Sequence, residues 1–281
     1  MWDGERTAGF AIAYICLRSL MLALYARAWL AVREARPLIR LYGGSYVVAV
    51  GIWAVSLTVE TPYRYVLWGV ALALDLSLPP LSTRLHRRVP TSGAHVPERW
   101  ALFTMIVLGE SIVVIALGTA GAEWDADSVA AAILGFASVA AVWWLYFDRQ
   151  ASVVLRGGTP SVVVYSYAHL PLLMALAALS AGVALLIERA GEDELGLGAA
   201  SALLGGAMLF FGSLIATRLV TVRASHRIGV SLKLGAVAIM AALLATQSVI
   251  PPVAVGGALL AVLVALVYLE HAVIAPSGDA L

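Results

Sequence analysis

Nine apolar stretches divide the sequence, at approximately 8–30, 41–59, 64–82, 100–119, 127–147, 161–187, 197–217, 229–249 and 252–270. Each is near or above the roughly 20 residues that a helix needs to cross about 30 Å of hydrocarbon. Lipid offers the backbone no hydrogen-bond partner, so a spanning segment closes its own bonds as a helix or joins a closed barrel. The stretches show no period-2 alternation, which excludes the barrel. The expectation is an all-α fold: a polytopic integral membrane bundle of about nine transmembrane helices, with residues 1–281 as a single transmembrane helical domain. Only Pro251-Pro252 separates the last pair, which leaves room for a bent or re-entrant hairpin there.

Composition narrows the chemistry. The 281 residues are 62% hydrophobic and 12% charged, against about 25% charged in a soluble domain. A net charge of +1 gives no reason to expect a nucleic-acid partner. The lone Cys16 forms no intrachain disulfide and no thiolate metal cluster. Asp3, Glu5 and Arg6 precede the first apolar run and Arg18 interrupts it, unlike a cleavable signal.

Charge alternates across the connections. Arg33, Arg36 and Arg40 follow the first span, and Arg84, Arg87, Arg88 and Arg99 the third. Arg149 and Arg156 follow the fifth, and Arg218, Arg223 and Arg227 the seventh. The other connections hold only Arg6, Arg64 and Arg189, with the acids Glu60, Glu123, Asp125, Asp127, Glu188, Glu192, Asp193 and Glu194. Basic residues gather on the cytoplasmic side, so the N-terminus is expected outside and the C-terminus in the cytoplasm. An even number of spans would break the alternation.

Depth singles out four ionisable residues. Arg18, Asp75, Glu110 and His169 each stand about eight to eleven residues into the first, third, fourth and sixth spans, or roughly 15 Å deep at 1.5 Å per residue. A charge at that depth is costly unless it is paired, protonated or wetted. These groups are therefore expected to turn inward and meet as a midplane polar cluster, with Arg18 as the permanent cation beside Asp75 and Glu110. Tyr14 lies one turn before Arg18 and can hydrogen-bond into the same group. One reading is a polar pathway able to carry protons; the other is an ion pair that fixes helix packing.

The fourth span adds to this picture. Arg99, Phe103, Ile106 and Glu110 share a helical face with a charge at the mouth and another at the centre. Gly109 allows close backbone approach and Ser111 can hydrogen-bond across helices. Pro79-Pro80 removes backbone donors a turn after Asp75, at a polar cavity or at a plain helix end. Trp143-Trp144-Leu145-Tyr146-Phe147 reads as an interfacial aromatic belt. Tyr165 and His169 share a face of the sixth span. No second His stands at metal-ligand spacing, so neither metal nor cofactor is expected. Gly205-Gly206 and Gly256-Gly257 read as close helix contacts, and no phosphate loop, nucleophile elbow or dinucleotide fingerprint is present.

The run Pro97 to Ser111, with Glu98-Arg99 and Leu108-Gly109-Glu110-Ser111, resembles the hallmark of the bacterial low-temperature-requirement A family. Phe10 to Tyr14 leading to Arg18, the segment Leu67-Trp68 through Asp75 to Pro79, and Trp143-Trp144 to Asp148 are similar to the same pattern. Family members usually begin with an earlier region carrying a Phe-Phe-Asp-type motif and a tryptophan-rich helix; this sequence enters at a later span, as a truncated or short relative would. The resemblance implies a multi-pass protein of the bacterial cytoplasmic membrane and a link to growth in the cold. It implies no reaction.

Three functions follow as expectations. The first is a proton- or ion-coupled transporter or channel whose partners are the lipid bilayer and a small ion or solute. The second is a non-transporting membrane protein of cold or envelope-stress adaptation, with the charged cluster as a structural device. The third is an intramembrane enzyme acting on lipid, disfavoured because no nucleophile–base or metal constellation is visible; the chain is not expected to be an enzyme.

Overall fold

The computed structural model describes residues 4–86, 95–121, 125–148, 159–221 and 227–274. Arg87, Arg88, Glu123, Arg149, Arg156 and Arg223, which carry part of the charge alternation, lie outside the described residues. The described residues are helical throughout apart from short turns, with no strand among them. The protein is a multi-pass, all-α membrane protein.

The helices run α1 (Gly4–Ala31), α2 (Arg36–Ser56), α3 (Tyr63–Leu81), a single turn α4 (Thr83–His86), α5 (His95–Gly121), α6 (Ala126–Phe147), α7 (Thr159–Glu188), a short α8 (Leu197–Ala200) that passes through a π-turn (Ser201–Gly205) into α9 (Gly206–Thr221), α10 (Arg227–Ala245) and α11 (Pro252–Ile274). Every expected span coincides with one of them, α8 and α9 together forming the seventh. Eight spans among the described residues are long and apolar enough to cross a membrane on their own. The other expected span, α3, carries Arg64, Asp75 and two prolines within 19 residues and is not among those eight. Gln247–Val249 forms a 3₁₀ turn before Pro251, and α11 then continues for 23 residues, so the last pair is two helices rather than a short hairpin.

The chain divides into two compact units, one holding residues 1–91 and 158–163 and the other the remainder. In the first, α2 packs against both α1 and α3. Three alanines with no exposed surface, Ala11, Ala49 and Ala71, face its centre beside Trp53; small side chains there let the helix backbones close up.

The second unit is built around α7. Its Leu172, Leu176, Leu179, Val183 and Leu186 are buried in the main apolar core. A Cβ on Gly206 would stand 2.8 Å from the backbone nitrogen of Leu179, and one on Gly182 would collide with the backbone of Leu203. The π-turn is therefore the place where the seventh span crosses α7 most closely. Elsewhere α6 lies along α11, and α10 lies along α9 and α11.

Candidate functional site

Three parallel stripes organise the first unit. Thr7, Ala11, Tyr14, Arg18 and Tyr25 recur at three- and four-residue steps or their multiples along α1. Tyr42, Tyr46, Ala49, Trp53 and Ser56 do so along α2, and Arg64, Trp68, Ala71, Asp75, Leu78 and Ser82 along α3 and just beyond it. That spacing keeps each set on one helical face. The faces meet in a column of aromatic and polar side chains.

Arg18 and Asp75 pair at the centre of this column. Arg18 Nη2 donates to Asp75 Oδ2 at 2.5 Å and to the Tyr14 hydroxyl at 2.6 Å, and Arg18 Nε donates to the same hydroxyl at 3.0 Å. The Tyr14 hydroxyl in turn donates to Asp75 Oδ2 at 3.1 Å. The guanidinium lies over the rings of Tyr46 and Tyr14, 4.6 and 5.0 Å from their centroids, an electrostatic attraction that strengthens as water is removed. The side chains are 18% and 8% exposed. The second carboxylate oxygen, Asp75 Oδ1, is buried with no hydrogen-bond partner. Pro79 also removes the ordinary i+4 donor of the Asp75 carbonyl, yet α3 runs on through both prolines to Leu81.

The two ends of the column differ. Toward the start of α3, Arg64 donates to Thr7 and to the Ser56 carbonyl, and Trp68 Nε1 donates to the Ser56 hydroxyl. Toward its finish, the Tyr42 hydroxyl lies 3.2 Å from Ser82 Oγ and 3.4 Å from His86 Nε2.

The other residues singled out from the sequence belong to the second unit. His169 is fully buried. Its Nδ1 lies 2.8 Å from the Tyr165 carbonyl and its Nε2 3.1 Å from the Tyr146 hydroxyl. A neutral ring with the proton on Nδ1 satisfies both contacts, the carbonyl accepting and Tyr146 donating. The rings of Tyr165 and Trp100 pack on the imidazole at 4.3 and 5.2 Å. Tyr146 thus turns inward from the aromatic run at the end of α6, where Trp143 and Trp144 stay exposed.

Glu110 is exposed and makes no hydrogen bond or ion pair among the described residues. The face it shares with Arg99, Phe103 and Ile106 is exposed throughout, while Thr104, Leu108, Ser111 and Ile115 form the buried stripe of α5. Ser111 faces away from Glu110, to the Ser180 hydroxyl on α7. The structure brings Tyr14, Arg18 and Asp75 together, and separately Tyr165 and His169; within the second unit it does not bring Glu110 to His169.

One buried charged group has no counterpart in the sequence reading. Glu270 on α11 accepts from Arg218 Nη2 on α9 at 3.1 Å and pairs with Lys233 on α10. Lys233 and Glu270 are 1% and 3% exposed. Each stands near a helix end, where depth alone flags nothing; an acid within reach of two basic helix ends on the same expected side was the available signal. No group of three or more His, Cys, Asp or Glu placed to hold a metal ion occurs among the described residues.

Comparison with known proteins identifies the lineage. Residues 2–268 match the family described as bacterial low temperature requirement A protein (LtrA). The chain belongs to this family. It is also 28% identical over 211 residues to Uncharacterized protein RA0937 of Rhizobium meliloti (strain 1021), an alignment covering 64% of this chain and 48% of that protein. The chain thus aligns with about half the length of that relative. No solved structure matches.

Proposed function

We propose that the protein is an ion-coupled transporter or channel of the bacterial cytoplasmic membrane, with Arg18 and Asp75 as its ion-handling centre. The observation that carries this reading is Asp75 itself: a mid-helix carboxylate, paired with Arg18 through Oδ2 only, whose Oδ1 is buried and unpartnered. An acid kept solely to fasten helices gains nothing from a desolvated oxygen left empty. Intramembrane ionisable groups with this surplus capacity belong with ion and substrate pathways. The small ion or solute and the bilayer are the proposed partners, with the N-terminus outside and the C-terminus inside.

The test is flux through purified protein in liposomes, with panels of monovalent ions and protons, comparing wild type with Asp75→Asn and Arg18→Gln. Flux in wild type that both variants lose supports the reading. Absence of any flux, or equal flux in all three, counts against it.

A second reading is favoured by the satisfied half of the same site. Arg18 Nε and Nη2, the Tyr14 hydroxyl and Asp75 Oδ2 are engaged with one another across α1 and α3, as in a structural clasp of a non-transporting protein for cold or envelope stress. Under that reading the two variants lose cold growth in proportion to their loss of thermal stability in detergent.

A further inference from the structure

We infer that Asp75 binds a proton delivered from the α3–α4 end of the first unit, while stacked aromatic rings close the opposite side. This rests on the reading of Arg18 and Asp75 as the ion-handling centre and names the ion and its route. The unpartnered Oδ1 offers one acceptor site. A single buried oxygen of a carboxylate already neutralised by Arg18 supplies too few ligands and too little charge for a metal cation, which takes several oxygens. A proton needs only one.

The column is asymmetric about Asp75. On the side of Thr7 and Arg64, Tyr14 stacks on Trp53 at 4.2 Å and Trp53 on Trp68 at 4.8 Å, with interplanar angles of 24° and 26°. Phe10 adds a third contact on Trp68 at 5.3 Å. Beyond the Tyr14 hydroxyl held by Asp75, the described side chains of this stack are indoles, a phenyl ring and buried alanines as far as Ser56. On the other side hydroxyl groups recur. Tyr46 lies beneath Arg18, and its ring contacts Tyr25 at 5.6 Å and Tyr42 at 6.2 Å. Tyr42 then reaches Ser82 and His86. Hydroxyls bridged by single waters relay protons, whereas packed indole rings do not.

The transfer balances without any co-reactant. A proton leaves hydronium at His86, and each step along the relay breaks one N–H or O–H bond and forms the next. The last bond formed is O–H on Asp75 Oδ1. Arg18 and Tyr14 from α1 face the carboxyl throughout, the Tyr46 ring from α2 lies against the Arg18 guanidinium, and Ser77 on α3 is turned to the Leu74 carbonyl. Arg18 keeps its charge, so the neutral pair becomes a single positive charge.

Infrared difference spectra of the full protein in liposomes, taken across a pH jump, read the carboxyl directly. The expected result is a protonated-carboxyl band that disappears in Asp75→Asn. Its appearance should slow about a hundredfold in His86→Ala, the scale of a lost proton-transfer group, and recover with added imidazole. Trp53→Leu and Trp68→Leu should raise proton leak into dye-loaded liposomes without slowing the band. Absence of an Asp75 band, or a band whose rate ignores His86→Ala, overturns the inference. Wild-type flux of another ion without the band refutes the proton route alone; the band without any flux refutes the transport reading and leaves the proton site standing.

Discussion

Arg18 shows how one residue is made tolerable in lipid. Two tyrosine rings, a hydroxyl and a carboxylate surround it, and removing one partner of such a buried pair costs more than replacing both by apolar residues. Asp75→Leu should therefore destabilise the protein by about 3 kcal/mol, and Arg18→Leu/Asp75→Leu should recover most of the loss while remaining without flux. Unfolding in mixed detergent micelles checks the first half and the liposome assay the second. Glu270 bridges cations from two helices, so Glu270→Gln should also cost about 3 kcal/mol. Glu110→Gln, on an exposed face, should stay within about 0.5 kcal/mol of wild type in the same assay. The contrast separates the two acids. Tyr14, Arg18 and Asp75 were legible because counting residues into a span gives depth, and depth prices a charge. Glu270 and Lys233 were not, because near a helix end a charge has an inexpensive alternative in water, and only the fold shows that they are buried. The exposure of Glu110 was hidden for another reason: periodicity places residues on a common face but does not say which face is covered.

Helices carry the same lesson in their glycines and caps. The pairs Gly205-Gly206 and Gly256-Gly257 read alike in the sequence, yet a Cβ meets neighbours only at Gly206 and Gly256. Successive residues point about 100° apart on a helix, so one of each pair turns away. Gly206→Val should destabilise by about 2 kcal/mol through overpacking against α7, with Gly257→Ala close to neutral in the same thermal scan. At the start of α6, Asp125 is the N-cap, its Oδ1 accepting from the Ser128 amide at 2.8 Å. That backbone hydrogen bond, with a contribution from the Ser128 side chain, holds its carboxyl below the usual aspartate range. A carboxyl depressed in the folded state contributes stability above its unfolded pKa and loses it as pH falls through the folded value. Asp125→Ala should therefore lower the melting temperature at neutral pH and make little difference in acid, where the wild-type cap is already protonated. Equal losses at both pH values would remove the cap from the account. Helix positions were legible from hydropathy, and α3 among them, although Arg64 and Asp75 leave it less apolar than the eight helices able to cross a membrane. The π-turn was not, since Ser201–Gly205 carries nothing but small and apolar residues and the distortion comes from what packs on it.

At the scale of the molecule, the charge alternation sets an expected orientation. If the connections rich in arginine are cytoplasmic, the His86 end of the first unit opens to the cytoplasm and the aromatic stack faces outward. Orientation thus decides which compartment supplies the proton. Single cysteines test it in a Cys16→Ala protein, where no other thiol competes. Glu60→Cys, between α2 and α3, should react with a membrane-impermeant maleimide on intact cells. Asp279→Cys should react only after permeabilisation. Arg33→Cys, between α1 and α2, should follow Asp279→Cys, which guards against a fault at one end of the chain alone. The reverse pattern at all three sites would invert the protein and turn the His86 end outward, making the external medium the proton source while leaving the asymmetry of the column intact. Labelling of Glu60→Cys and Arg33→Cys from one side would break the alternation itself, because α2 would then fail to cross.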